Sequence, residues 1–146
     1  MIRRFILILP VILLITMKLN GQSIDDLMLS EKEIPKGYSL TDNCPCMSIQ
    51  VCMFYAKPEV FEIIIGELKS KQHQGFIGGC IMYFEFEDEF KREDFLRGFL
   101  WGEAGKPTKK HPEEIYSKGK FLIIWSFPIN SKIVKASKKK IKKILK

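Results

Sequence analysis
The sequence predicts an α+β domain, a small sheet packed with about three helices as a two-layer sandwich. Two observations predict it. From residue 47 onward, strand-length apolar runs alternate with stretches of helical spacing, and 146 residues are enough for one hydrophobic core but not for two. The elements read strand, helix, strand, helix, strand, helix, with no internal repeat among them.

The N-terminus stands apart from that domain. Met1-Ile2-Arg3-Arg4 carries two positive charges, and residues 5–17 (FILILPVILLITM) follow as thirteen residues without a charge. A spanning helix needs about twenty apolar residues. This run is shorter, contains Pro10 and leads into the polar segment 18–23, so 1–21 reads as a secretory signal peptide rather than an anchor. Gly21 and Ser23 give the small-x-small spacing of a cleavage site, and a leader ending at Gly21-Gln22 resembles many from the Bacteroidota. The expected location is exported, periplasmic or extracellular, with 22–146 as the single folded domain.

Within that domain, 24–40 is a short helical or irregular lead-in with a turn at Pro35-Lys36-Gly37. Segment 47–56 (MSIQVCMFYA) places Ile49, Val51, Met53 and Tyr55 at period two and reads as a strand. Pro58 suits the first turn of a helix in which Val60, Phe61, Ile64, Ile65 and Leu68 recur at helical spacing to about Gln72. Gln74-Gly75 then turns the chain into a long, central strand over 76–86. Phe76, Cys80, Met82, Phe84 and Phe86 share one parity there, Ile77, Ile81 and Tyr83 the other, and Gly78-Gly79 marks a bulge or a close backbone approach.

Asp88 is the expected cap of a second helix reaching Trp101, buried through Phe95, Leu96, Phe99 and Leu100 and ended by Gly102. The Gly-, Pro- and Lys-rich 103–111 is the least structured part. A third strand covers 120–127 after a turn at Lys118-Gly119, and one or two further strands are expected in the lead-in or around Ile115. Asn130 or Ser131 starts a terminal helix lined by Ile133, Val134, Ile141, Ile144 and Leu145.

The net charge of +7 is unevenly distributed. Residues 22–131 carry 13 Lys and Arg against 17 Asp and Glu, a balance of −4, whereas 132–146 carries eight lysines and no acid. Lys135, Lys138, Lys139, Lys142, Lys143 and Lys146 are the candidate contacts of this helix with an acidic partner or, peripherally, with an anionic membrane. Nucleic acid is not an expected partner, since the tail has no aromatic residue to stack on bases.

Four cysteines, Cys44, Cys46, Cys52 and Cys80, fall inside the exported part and read as two disulfides. Three connectivities exist. A Cys44–Cys46 bridge closes a very small loop, which favours bridges from that pair to Cys52 and Cys80. The same cluster, with Met47, Met53 and Met82 near, offers soft ligands, so Cys44 and Cys46 are also candidates for a soft-metal or thiol-redox site. Against that, the paired spacing of a structural zinc site and the C-x-x-C of a redox motif are both missing.

His73 and His111 read as solvated, and the acidic run at 85–89 lacks the alternation and central glycine of a calcium loop. No nucleophile, base and acid can be named together, and no cofactor motif is present, so no catalytic residue and no cofactor is expected.

Three segments in order, Ile34-Pro-Lys-Gly-Tyr38, Tyr83-Phe-Glu-Phe-Glu-Asp88 and Lys118-Gly-Lys-Phe-Leu-Ile-Ile124, resemble small exported proteins of the PsbP-like fold. That resemblance implies a sheet flanked by helices and a binding or accessory role, and it supplies no catalytic residues. The function expected from the sequence is an exported, non-enzymatic binding or accessory domain held by disulfides, with an unidentified protein or small-molecule ligand. An envelope-associated protein using the lysine helix is the alternative.

Overall fold
A computed structural model describes residues 21–146. The expected leader, 1–21, lies outside the described residues except for Gly21. The elements are α1 (Ile24–Leu27), a 3-10 turn (Glu31–Glu33), β1 (Leu40–Thr41), α2 (Ile49–Ala56), α3 (Pro58–Ile65), β2 (Leu68–Phe76), β3 (Gly79–Phe86), α4 (Glu93–Trp101), β4 (Glu114–Lys118), β5 (Phe121–Ser126) and α5 (Lys132–Ile144). The five strands form one open antiparallel sheet in the order β1-β2-β3-β5-β4. This is the α+β class expected, with β3 central, strands also at the lead-in and at Ile115, and helices on both faces of the open sheet where two layers were expected.

Because successive side chains of a strand point to opposite faces, β3 and β5 build two cores at once. Cys80, Met82, Phe84, Phe86, Leu122 and Ile124 point to one face, where Val51 and Phe54 of α2, Phe61 and Ile65 of α3, and Leu96, Leu100 and Trp101 of α4 cover them. Ile81, Tyr83, Phe121, Ile123 and Trp125 point to the other, under Ile24 and Leu27 of α1 and Ile133, Val134 and Ile141 of α5. Strands buried on both faces lose the apolar-polar alternation, which explains the near-continuous apolar runs in both.

Four expectations about elements are corrected. Segment 47–56 is helical from Ile49, not a strand. The Cys46–Cys52 bridge holds Cα atoms 5.6 Å apart across a separation of six residues, which an extended chain would place about 20 Å apart. Val51 and Phe54, three apart, are the buried pair, whereas Met53 is exposed.

The second helix stops at Ile65 rather than near Gln72, because Gly66 adopts φ 119° and the chain leaves as β2. Polar Lys69, Lys71 and Gln72 suit this strand, for β1 pairs only its last two residues and lysines guard an otherwise open edge.

The hairpin turn is at Ile77-Gly78, not Gln74-Gly75. It restarts the parity, so Phe76 belongs with Ile81 and Tyr83 instead of with Cys80. Gly75 lies inside β2, where a Cβ would run into the Asn43 carbonyl, and at Gly79 it would meet the Phe127 ring. Of the close approach expected at Gly78-Gly79, Gly79 therefore makes one, against Phe127 and the Ser126 carbonyl, whereas Gly78 is a turn residue at φ 99° with open space around it.

Finally, the first residue before α4 is Arg92 and not Asp88. Phe95 and Phe99 are half exposed, while Leu96, Leu100 and Trp101 form the buried stripe.

The lead-in is tied down by polar contacts. Gln74 Nε2 donates to the Leu29 carbonyl (2.8 Å), while its Oε1 accepts from the Leu29 N–H (3.0 Å) and from the Tyr83 hydroxyl (2.7 Å). Burial, only partly offset by hydrogen bonds, pushes the Tyr83 phenol well above its ordinary value, so it stays a neutral donor. The Trp125 indole donates to Ser137 Oγ (2.8 Å), which explains a small polar residue on the buried side of α5.

On the surface, Glu33 accepts from the Ser30 hydroxyl (2.7 Å) and pairs with Lys140 (2.9 Å). The Ser30 hydrogen bond first, and Lys140 second, hold the Glu33 carboxyl below its ordinary 4.5. A carboxyl depressed on folding contributes stability that is complete above its unfolded value and is lost as pH falls through its folded value. Glu33→Gln should therefore be less stable than the parent at neutral pH by no more than about 1 kcal/mol, the range of an exposed pair. The gap should close in acid, once the pH has fallen through the parent carboxyl's lowered folded value. Urea midpoints at both pH values check this, and a gap that persists in acid would overturn it.

Candidate functional site
The candidate site grows from the helical half of the chain. α2 ends at Ala56, and Pro58, which has no N–H to donate, opens α3 at its first position, so two eight-residue helices are separated by Lys57 alone. Short helices bury only part of their apolar surface. α2 contributes Val51 and Phe54 to the core, α3 contributes Phe61 and Ile65, and Met53, Val60 and Ile63 stay exposed. α4 packs beside them through Leu96 and Leu100 and leaves Phe99 at the seam, 44% exposed.

The result is a groove of about 420 Å³ lined by Gln50, Met53, Phe54, Lys57, Val60, Phe61 and Phe99. Its floor is an aromatic chain. Phe54 stacks on Phe61 with ring centres 4.2 Å apart and lies 5.4 Å from Phe99, and Phe61 in turn lies 5.2 Å from Phe84 on the sheet. Lys57 and Gln50 are the polar members of the rim. Such a concave, mostly apolar surface with few polar groups is the usual form of a ligand or peptide site.

Both disulfides serve this region. Cys44–Cys80 (Cα–Cα 5.1 Å) fastens the segment after β1 to the start of β3, and Cys46–Cys52 fastens the entry of α2 to its own second turn. The connectivity is thus one of the two that link the C-x-C pair to the distant cysteines. Cys44 and Cys46 sit in separate bridges, and among the described residues no group of three or more His, Cys, Asp or Glu is placed to hold a metal.

α2 is further tied to β2. The Tyr55 hydroxyl meets His73 Nδ1, His73 Nε2 donates to the Asp42 carbonyl (3.4 Å), and Lys71 lies over the Tyr55 ring and donates to the Tyr55 carbonyl (3.1 Å). His73 is therefore a half-buried tether rather than a solvated residue. His111 exchanges hydrogen bonds with Thr108 inside its loop.

The predicted lysines of α5 divide. Lys138 pairs with Glu114 (2.9 Å) and lies over Trp125, whereas Lys135, Lys139, Lys142, Lys143 and Lys146 are exposed. They stand on the opposite side of the sheet from the groove, so the two surfaces are separate. No described helix is long and apolar enough to cross a membrane.

Compared with known proteins, the chain matches no family model, no curated protein and no solved structure. The groove residues were not singled out by sequence patterning. The available signal was apolar excess: α4 offers Phe95 and Phe99 beyond the stripe one helix face needs.

Proposed function
We propose that this chain is an exported, non-enzymatic binding domain whose contact site is the apolar groove between α2, α3 and α4. The observation that carries this reading is the side-by-side exposure of Met53, Val60 and Phe99 (47, 45 and 44%) over the Phe54–Phe61 floor. Leaving three large apolar side chains together in water forgoes about 25 cal/mol for each Å² that burial would remove. A bound apolar ligand or partner segment recovers it. Two disulfides support residence in an oxidising compartment, and the resemblance to PsbP-like proteins points the same way, to a binding or accessory role.

The test uses an apolar reporter dye, anilinonaphthalene sulfonate. The folded, oxidised protein should enhance its fluorescence, and Met53→Gln with Val60→Ser should reduce that binding at least about tenfold, equivalent to about 1.4 kcal/mol. Neither side chain belongs to the core, so the urea midpoint should stay nearly unchanged. Dye binding that is absent from the native protein, or undiminished in the double variant, would sink this assignment.

A further inference from the structure
The outer face of α5 is a row of lysines with nothing to neutralise it. At 100° per residue, Lys132, Lys135, Lys139, Lys142 and Lys143 fall within an arc of roughly 100°, directly opposite Ile133, Val134 and Ile141, which are buried against the sheet. The flanking Lys138 and Lys140 are taken up by Glu114 and Glu33, and the helix has no acid of its own. Lys135 and Lys139, and Lys139 and Lys143, repel at i,i+4 spacing. A row of this kind weakens its own helix unless an anionic surface relieves it.

Charge complementarity and the length of the row point to that surface. The row is one helix wide and about 20 Å long, so an extended array of anionic headgroups can meet all of it at once. Beside the row, Gln22 Nε2 donates to the Ile144 carbonyl (3.5 Å), which holds the start of the domain at the end of α5.

We infer that this face of α5 docks on an anionic lipid bilayer by charge alone. The apolar side of the helix is already spent on the core, so docking involves no insertion of α5. It is a peripheral contact that salt reverses, and it leaves the groove on the far side of the sheet free.

The experiment is co-sedimentation of the protein, expressed from its full sequence and oxidised, with phosphatidylglycerol-containing and with purely phosphatidylcholine vesicles. A leader left on the chain would bind both kinds equally and resist salt, so the lysine contact reads as the difference between them. The expected result is binding to the anionic vesicles at low salt that disappears near 1 M, where the Debye length is about 3 Å. Each lysine contributes roughly fivefold to partitioning, so Lys132→Gln, Lys135→Gln, Lys139→Gln and Lys143→Gln together should lower it by at least about a hundredfold. The corresponding four arginine substitutions should keep it.

Equal binding to both vesicles, an unchanged glutamine variant, or retention on soluble heparin without vesicle binding would each overturn the inference. If the glutamine variant fails to fold, the salt dependence of the parent and the arginine variant decide.

Discussion
Replacing Cys44 and Cys80 together by alanine should destabilise the oxidised protein by about 4 kcal/mol, from the entropy returned to an unfolded chain freed of a loop spanning 36 residues. That is a large share of the roughly 5–15 kcal/mol on which a domain of this size stands. Cys46 and Cys52 span only six residues, so the same double substitution there should cost about 2 kcal/mol. Urea midpoints of the three oxidised proteins test the ordering. Equal midpoints, or a larger loss at Cys46–Cys52, would show that strain or residual structure outweighs loop closure. The two losses should also differ in place. Cys80 lies at 0% exposure at the start of the central strand, so its loss detaches the approach to α2 from the sheet, whereas loss of Cys52 frays only the first turns of α2.

Gln74→Leu should cost about 3 kcal/mol, although it exchanges a polar residue for an apolar one of similar volume. Gln74 is 8% exposed, and its amide satisfies the N–H and C=O of Leu29 and accepts from the Tyr83 hydroxyl. Leucine removes the partner of both Leu29 groups and one partner of the Tyr83 hydroxyl, which keeps Ser137 and the Leu29 backbone near, and each orphan costs about 1–3 kcal/mol, not fully additively. The loss should be local in hydrogen exchange. Amides of 24–29 should lose protection while those of β3 and β5 stay slow until global unfolding. A variant within about 0.5 kcal/mol of the parent, with the lead-in still protected, would mean that the apolar packing of Ile24 and Leu27 alone holds this segment.

The terminal helix and the strand at 121–126 were legible in the sequence because each is long and periodic enough to leave no alternative. Segment 47–56 was not. Its apolar residues run too densely for period two to be told from period 3.6, and a bridge between Cys46 and Cys52 decides in favour of the helix. The end of α3 was lost for a related reason. Leu68 continued the helical spacing past Gly66, and only the pairing of β2 with β3 draws that residue into a strand. The candidate groove was invisible because exposure of Met53, Val60 and Phe99 depends on how three short helices from two stretches of chain abut.

The sequence by itself determined the α+β class, the concentration of positive charge on one helix, and a preference for disulfides that join Cys44 and Cys46 to Cys52 and Cys80. All three follow from local properties: periodicity, composition and the length of chain between cysteines. Tertiary structure decided which of the remaining bridges form, which face of the sheet each helix covers, and which apolar side chains remain exposed. These depend on contacts between residues far apart in the chain, where burial and covalent closure outweigh local propensity.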